Sequence, residues 1–210
     1  MSGIHLPRGR FTDALVAFTA SAAVIQLAPA IAQAALSYGF SPPAFLTGAL
    51  RIQPFVWLSP LVSQFLLGSL VATLFNTVLM LIAGRYVEKA LGGVGLLVTF
   101  AAGAYGGAIA RLVLTPGSPL VTASMNAGFF ATIGAYLMLY GIPGGISVAR
   151  RYPRPVQIAS LALIWAVIQL AFMLPTGGIE LSLNLIDPLG GLLVGTLLAR
   201  PLLAWRYRKA

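Results

Sequence analysis

Few side chains in this 210-residue chain could carry chemistry. The chain has no cysteine and a single histidine, His5, so disulfides, thiolate chemistry and cysteine-ligated metal sites are excluded. A metal site needs several convergent ligands, and the acidic side chains are four in number and widely separated: Asp13, Glu88, Glu180 and Asp187. We therefore expect neither a metal nor a cofactor, and we interpret His5 as part of a tail.

The composition predicts a membrane protein. Hydrophobic residues make up 59% of the chain and charged residues only 8%, whereas a soluble domain carries about a quarter charged residues. Several uncharged stretches exceed the ~20 apolar residues that cross a bilayer. We expect six membrane spans, at about 12–35, 61–83, 94–114, 121–141, 155–174 and 185–204.

If the chain crosses the membrane six times, its basic residues are distributed very unequally between the two sides. One side receives eleven of them: Arg8, Arg10, Arg85, Lys89, Arg150, Arg151, Arg154, Arg200, Arg206, Arg208 and Lys209. The other receives Arg51 and Arg111. Because positive charge is retained in the cytoplasm, both termini are predicted to be cytoplasmic. This distribution, with no clustered soluble face, excludes a nucleic-acid partner.

The chain is predicted to form one domain. We expect a cytoplasmic tail at 1–11, a membrane domain at 12–204 and a basic tail at 205–210, which could contact anionic lipid headgroups. The connection 36–60 is too apolar for an aqueous loop, and its Trp57 favours the headgroup layer. One alternative stays open at the N-terminus, where Ala32-Gln33-Ala34 could end a secretory signal peptide; the length of the apolar stretch favours a retained first helix.

Several motifs appear in a particular order along the chain. Residues 65–76 read FLLGSLVATLFN, 84–92 read GRYVEKALG, 162–165 read ALIW and 191–195 read GLLVG. Together they resemble rhomboid intramembrane proteases, whose second span often begins FLHAGxxHLLFN and is followed by a GRxxExxxG turn. The resemblance covers about residues 60–200. It implies an all-α, six-helix rhomboid-like bundle with an interfacial first loop, and the small size suits a bacterial inner membrane.

The catalytic pair that the resemblance implies is not in its place. A rhomboid cuts with a serine near the start of span four, eight residues before a glycine. Counting back from Gly134 gives Asn126. The family's histidine stands three residues before the first glycine of span six, and that position, counted from Gly191, holds Pro188.

Ser124 is the remaining candidate nucleophile. Two residues along a helix rotate a side chain by about 200°, and a serine needs an adjacent base. Asp187 is a poor base at an ordinary carboxylate pKa. We interpret Asp187 and Pro188 mainly as the N-cap and first residue of a helix, with a cavity carboxylate as the alternative. Asn126 is predicted mainly to hydrogen-bond to span two or six as a structural link. The alternative is that Asn126 and Asn76, which matches the family's asparagine of span two, are polar groups at a former cleft.

Glycines are expected to pack the bundle. Small residues four apart let helix backbones approach closely in lipid. Gly191 and Gly195 of span six could therefore face span four at Gly128, Ala131 and Ala135, on the same helix as Gly134.

These observations favour a non-proteolytic rhomboid relative, a pseudoprotease that binds transmembrane helices of other proteins within the bilayer. One alternative is an active intramembrane serine protease that uses Ser124. A weaker third is a small transporter, which no intramembrane charge pair or inverted repeat supports. Whether the protein is an enzyme stays open, leaning towards no.

Overall fold

The computed structural model describes residues 6–47, 54–123, 126–141, 152–173 and 179–208. Over these ranges the fold is helical, and the extended structure consists of a single bridge between Phe40 and Thr122. The α-helices are α1 (Arg10–Ile25), α2 (Pro29–Leu36), α3 (Pro42–Leu46), α4 (Ser59–Val62), α5 (Leu70–Leu114), α6 (Asn126–Tyr140), α7 (Arg154–Met173) and α8 (Ile179–Tyr207). Short 3-10 turns at Pro54–Leu58 and Ser63–Phe65 flank α4.

Helix α5 is two helices joined at a sharp reversal. Gly92 has φ of 79° and ψ of 169° inside it, a conformation that only glycine adopts without strain. Asn76 of the first half hydrogen-bonds to Asn126, and Gly107 of the second half packs on the adjacent Ala127. The two halves therefore run antiparallel and correspond to the predicted second and third spans.

Helix α6 occupies the centre of the molecule, packed between α5 and α8. Its residues Ala131, Thr132 and Ala135 are fully buried. Helix α7 stands at the edge and contacts α6 and α8, with Trp165 against Phe130 at 4.8 Å between ring centroids. The core includes Met80, Val87, Leu96, Phe100, Phe129, Met138, Leu192 and Ala199.

Residues 85–89, before the turn at Gly92, contact the start of α1 and the end of α8. The Glu88 carboxylate accepts hydrogen bonds from the backbone N–H groups of Phe11 (3.1 Å) and Thr12 (2.8 Å), so it caps the first turn of α1. Arg85 pairs with Asp13 at 2.8 Å. From the last turn of α8, Arg206 donates to the Lys89 carbonyl oxygen at 2.8 Å. The 84–92 motif is therefore a structural junction.

The described helices fit the six predicted spans in part. By length and composition, α5 and residues 185–207 of α8 could cross a membrane, and α1 with α2 could form a third span. The first predicted span, over 12–35, corresponds to a bent pair of helices, because α1 and α2 meet at 116° and Pro29 begins the second helix. Helix α6, with 15 residues, is a shorter apolar helix. So is Arg154–Val167, the part of α7 whose side chains the structure describes.

Candidate functional site

The two asparagines named from the sequence lie in direct contact. The Asn76 Nδ2 group donates to Asn126 Oδ1 at 3.0 Å. Asn76 projects from the first half of α5 and is buried, whereas Asn126 is the first residue of α6 and is partly exposed. A hydrogen bond between two side-chain amides on different helices satisfies polar groups that lipid cannot solvate.

Above the start of α6, three buried residues form what we call the roof: Phe40, Gln64 and Thr122. The Gly128 N–H donates to Gln64 Oε1 at 3.0 Å, and the Thr122 N–H donates to the Phe40 carbonyl oxygen at 2.8 Å. The Phe40 N–H donates in turn to Ser63 Oγ at 2.6 Å. The roof therefore joins the segment before α3, the 3-10 turn before α5 and the extended segment before α6.

Beside the roof lies a buried ion pair. Arg111 Nε is 3.1 Å from Asp187 Oδ1, and the two side chains are only 2% and 7% exposed. Arg111 also donates to the Leu120 carbonyl oxygen at 3.0 Å, and Thr122 Oγ1 donates to Asp187 Oδ2 at 3.3 Å. Several polar contacts thus offset the cost of burying the two charges.

This arrangement corrects two sequence interpretations. Asp187 is not an N-cap, because α8 begins at Ile179 and holds both Asp187 and Pro188 in its interior. The membrane domain does contain a charge pair, because Arg111 is buried against Asp187, so the statement that it has none was wrong.

The gap between these groups is narrow. Its lining includes Phe40, Gln64, Thr122, Ala127 and Asp187, which leave no room between them for a water molecule. Asn126 and Pro188, at the expected catalytic positions, do not line this gap. Asn126 is partly exposed, and Pro188 is buried.

Glycines set the spacing of α8 against its neighbours. A Cβ on Gly191 would overlap the Ala127 carbonyl oxygen, and one on Gly195 would overlap that of Ala131. From α6, Gly134 faces the Leu192 carbonyl oxygen, where a Cβ would lie at 2.5 Å. Gly128 packs on the ring of Phe100 of α5.

Ser124, the alternative nucleophile, lies outside the described residues, as does His5. Sequence reasoning missed Gln64 and the role of Arg111. Gln64 gave no signal beyond its place before the FLLG motif. Arg111 gave one, since it is the only charged residue between Lys89 and Arg150, and charges in the membrane interior generally pair.

A protein-family model described as the rhomboid domain matches residues 54–205 of the chain. The match covers all of α5, α6, α7 and most of α8, so it includes every residue of the roof except Phe40. No curated protein and no solved structure matches the chain.

Proposed function

Because this chain belongs to the rhomboid family of membrane proteins, we propose that it is a non-proteolytic member, a pseudoprotease that binds transmembrane segments of partner proteins. Its fold would be the six-span bundle with an interfacial first loop. The domain matched by the family model supplies the scaffold, and the side chains at the two catalytic positions decide the activity.

The observation that carries this proposal is the state of those two positions. Asn126 stands where the family has its serine, and its amide oxygen accepts a hydrogen bond from Asn76. Pro188 stands where the family has its histidine, and it is buried beside the Arg111–Asp187 pair. An amide does not replace a hydroxyl nucleophile, and proline has no side-chain base.

The same proposal includes the orientation in the membrane. Arg8, Arg10, Lys89 and Arg206 gather around one surface notch at the Gly92 turn. A concentration of basic residues at one end supports cytoplasmic termini, and we assign the protein to a bacterial inner membrane with multiple spans.

For the partner, we propose a site on the lateral face between the first half of α5 and α7. The first half of α5 exposes an apolar row at helical spacing, which includes Val71 (78% exposed), Phe75 (64%) and Val78 (58%). Helix α7 exposes Leu163 (67%) and Val167 (57%). Such surfaces suit a lipid-embedded helix, since both are apolar and neither is covered by a described element. Asn76 lies on the same half of α5 as this apolar row and hydrogen-bonds to Asn126. We propose that these two amides offer hydrogen bonds to the unwound backbone of a bound helix.

The test of the inactive site is labelling with a fluorophosphonate probe, which reacts with activated serines. We expect no labelling of the wild-type protein and none of Ser124→Ala, under conditions in which an active rhomboid protease is labelled. Labelling of the wild type that disappears in Ser124→Ala would establish the protease alternative instead.

The test of partner binding is site-specific photo-crosslinking in membranes. A crosslinker at Val78 and one at Leu163 should capture the same membrane protein. The control position is Val113, which is 72% exposed on the second half of α5 and should not capture it. Crosslinks to lipid alone from Val78 and Leu163 would contradict the proposed site.

A further inference from the structure

A groove opens between α7 and α8, and it shares Leu163 of α7 with the proposed partner site. It has a volume of about 590 Å³, which lies within the range of pockets that hold small ligands. Its walls are almost entirely apolar and include Ile158, Ala159 and Ala162 of α7 and Leu193 and Leu197 of α8, with Met138 of α6 at its base.

One end of the groove carries a positive charge. Arg200 lines it there, next to Pro155 of α7. The side chain is exposed, and no described residue gives it a hydrogen bond or an ion pair. The neighbouring Arg154, by contrast, donates to the Met138 carbonyl oxygen at 2.8 Å. Arg200 is thus the cation available to an occupant of the groove.

The position of Arg200 along α8 corresponds to the headgroup region. Trp205 and Tyr207 follow it on the same helix and are 55% and 59% exposed, and exposed Trp and Tyr are enriched at the membrane–water interface. The apolar walls lie on the opposite side of Arg200, towards the middle of the helix. The groove therefore has a headgroup end and an acyl-chain end.

The length of the groove favours a lipid acyl chain over a partner helix as its occupant. The groove runs along α8 from Leu189 to Arg200, which at about 1.5 Å per residue is ~16 Å. One leaflet contributes about half of the ~30 Å hydrocarbon core, or ~15 Å. A partner helix would need contacts along the whole core, whereas the acyl chain of one leaflet fits this groove from end to end.

We infer that the groove between α7 and α8 binds an anionic phospholipid, with one acyl chain among the apolar side chains and the phosphate at Arg200. The guanidinium forms charge-assisted hydrogen bonds to phosphate oxygens, and the chain fills the space that keeps α7 apart from α8. This lipid site is independent of whether the protein is a protease.

The test is native mass spectrometry of the full-length protein in detergent, titrated with phosphatidylglycerol or with phosphatidylcholine of the same acyl chains. The wild type should bind phosphatidylglycerol more tightly. Arg200→Gln should weaken that binding about tenfold, the effect of losing one charge-assisted hydrogen bond, and should remove the preference between the two lipids. The matched control is Arg208→Gln, which removes an equal charge from the same end of α8 outside the groove and should change neither.

A second pair of variants tests the acyl chain. Ala159→Phe places a ring in the groove and should weaken the binding of both lipids. Val156→Phe changes a 46%-exposed position of α7 that does not line the groove and should leave binding unchanged.

Three results would overturn the inference: equal binding of the two lipids by the wild type, an equal loss in Arg208→Gln, or retained binding in Ala159→Phe. Thermal unfolding checks each variant's fold, and the comparison of the two arginine variants suffices if Ala159→Phe does not fold.

Discussion

At the scale of single residues, the Arg111–Asp187 pair is the least expected feature of the molecule. Both side chains are almost completely buried, and a buried ion pair is costly to desolvate even when its partners are well placed. Here the pair connects the end of α5, the segment before α6 and the interior of α8, because the Leu120 carbonyl oxygen and Thr122 also contact it. We therefore expect it to specify how these three segments meet.

Replacing one residue of this pair should destabilise the protein far more than replacing both. Arg111→Met leaves the Asp187 carboxylate buried without its cation, so we expect it to lower the free energy of unfolding by about 3–5 kcal/mol. The double variant Arg111→Met/Asp187→Leu should recover most of that loss, since no charge remains buried. Thermal or denaturant unfolding in detergent measures both.

The exposed pair Arg85–Asp13 is the control for this experiment. Its side chains are 23% and 48% exposed, and Arg85→Met should cost less than about 1 kcal/mol because solvent screens the interaction. An equally small loss in Arg111→Met would show that the buried pair is not a structural determinant.

At the scale of helices, the close approach of α6 and α8 holds the centre together. Lipid provides no hydrophobic driving force for the association of apolar helices, so backbone proximity and packing must supply the stability. Gly191 and Gly195 lie against the backbone of α6 at Ala127 and Ala131. This interface also sets the position of Pro188 and Asp187, which precede the glycines on α8.

Filling this interface should separate the helices. Gly195→Ala adds a Cβ that overlaps the Ala131 carbonyl oxygen, and because the obstacle is backbone, the helices must move apart. We expect a loss of about 2 kcal/mol, typical of overpacking, measured by unfolding in detergent. Gly117→Ala is the matched control, since a Cβ there meets nothing within 4 Å, and its stability should stay within about 0.5 kcal/mol of wild type. Equal stabilities would argue against close packing of α6 on α8.

At the scale of the whole molecule, the antiparallel halves of α5, the central α6 and the long α8 form the membrane core of a rhomboid-family protein. The segments around α3 and α4 cover it at one end, through the roof. On the other side, the Gly92 turn binds the ends of α1 and α8. The two ends of the bundle thus differ in chemistry, one neutral and aromatic and the other basic.

The proposed topology is readily tested because the chain has no cysteine. Single cysteines in Gly117→Cys and Tyr152→Cys would lie in connections at opposite ends of the bundle, and both positions are exposed. A membrane-impermeant maleimide added to intact cells should label position 117 and spare 152. After permeabilisation both should react, which controls for accessibility. Labelling of 152 in intact cells would contradict cytoplasmic termini.

The sequence predicted some local features and misjudged others for identifiable reasons. The family was correctly recognised, since its motifs combine residue types with fixed spacing. Pro29 was a signal for the break between α1 and α2 that the apolar composition concealed. Asp187-Pro188 has the composition of a helix start, but α8 continues through it, because the local preference of two residues is small beside the packing of a whole helix.

By itself, the sequence determined that this is a helical membrane protein of the rhomboid family. That conclusion rests on composition and on residue order, which are properties of the chain. Only the tertiary structure decided that Asn76 contacts Asn126, that Arg111 pairs with Asp187, and that an apolar groove ends at Arg200. Each of these joins residues from different helices, and a one-dimensional pattern does not fix how helices pack against each other in lipid.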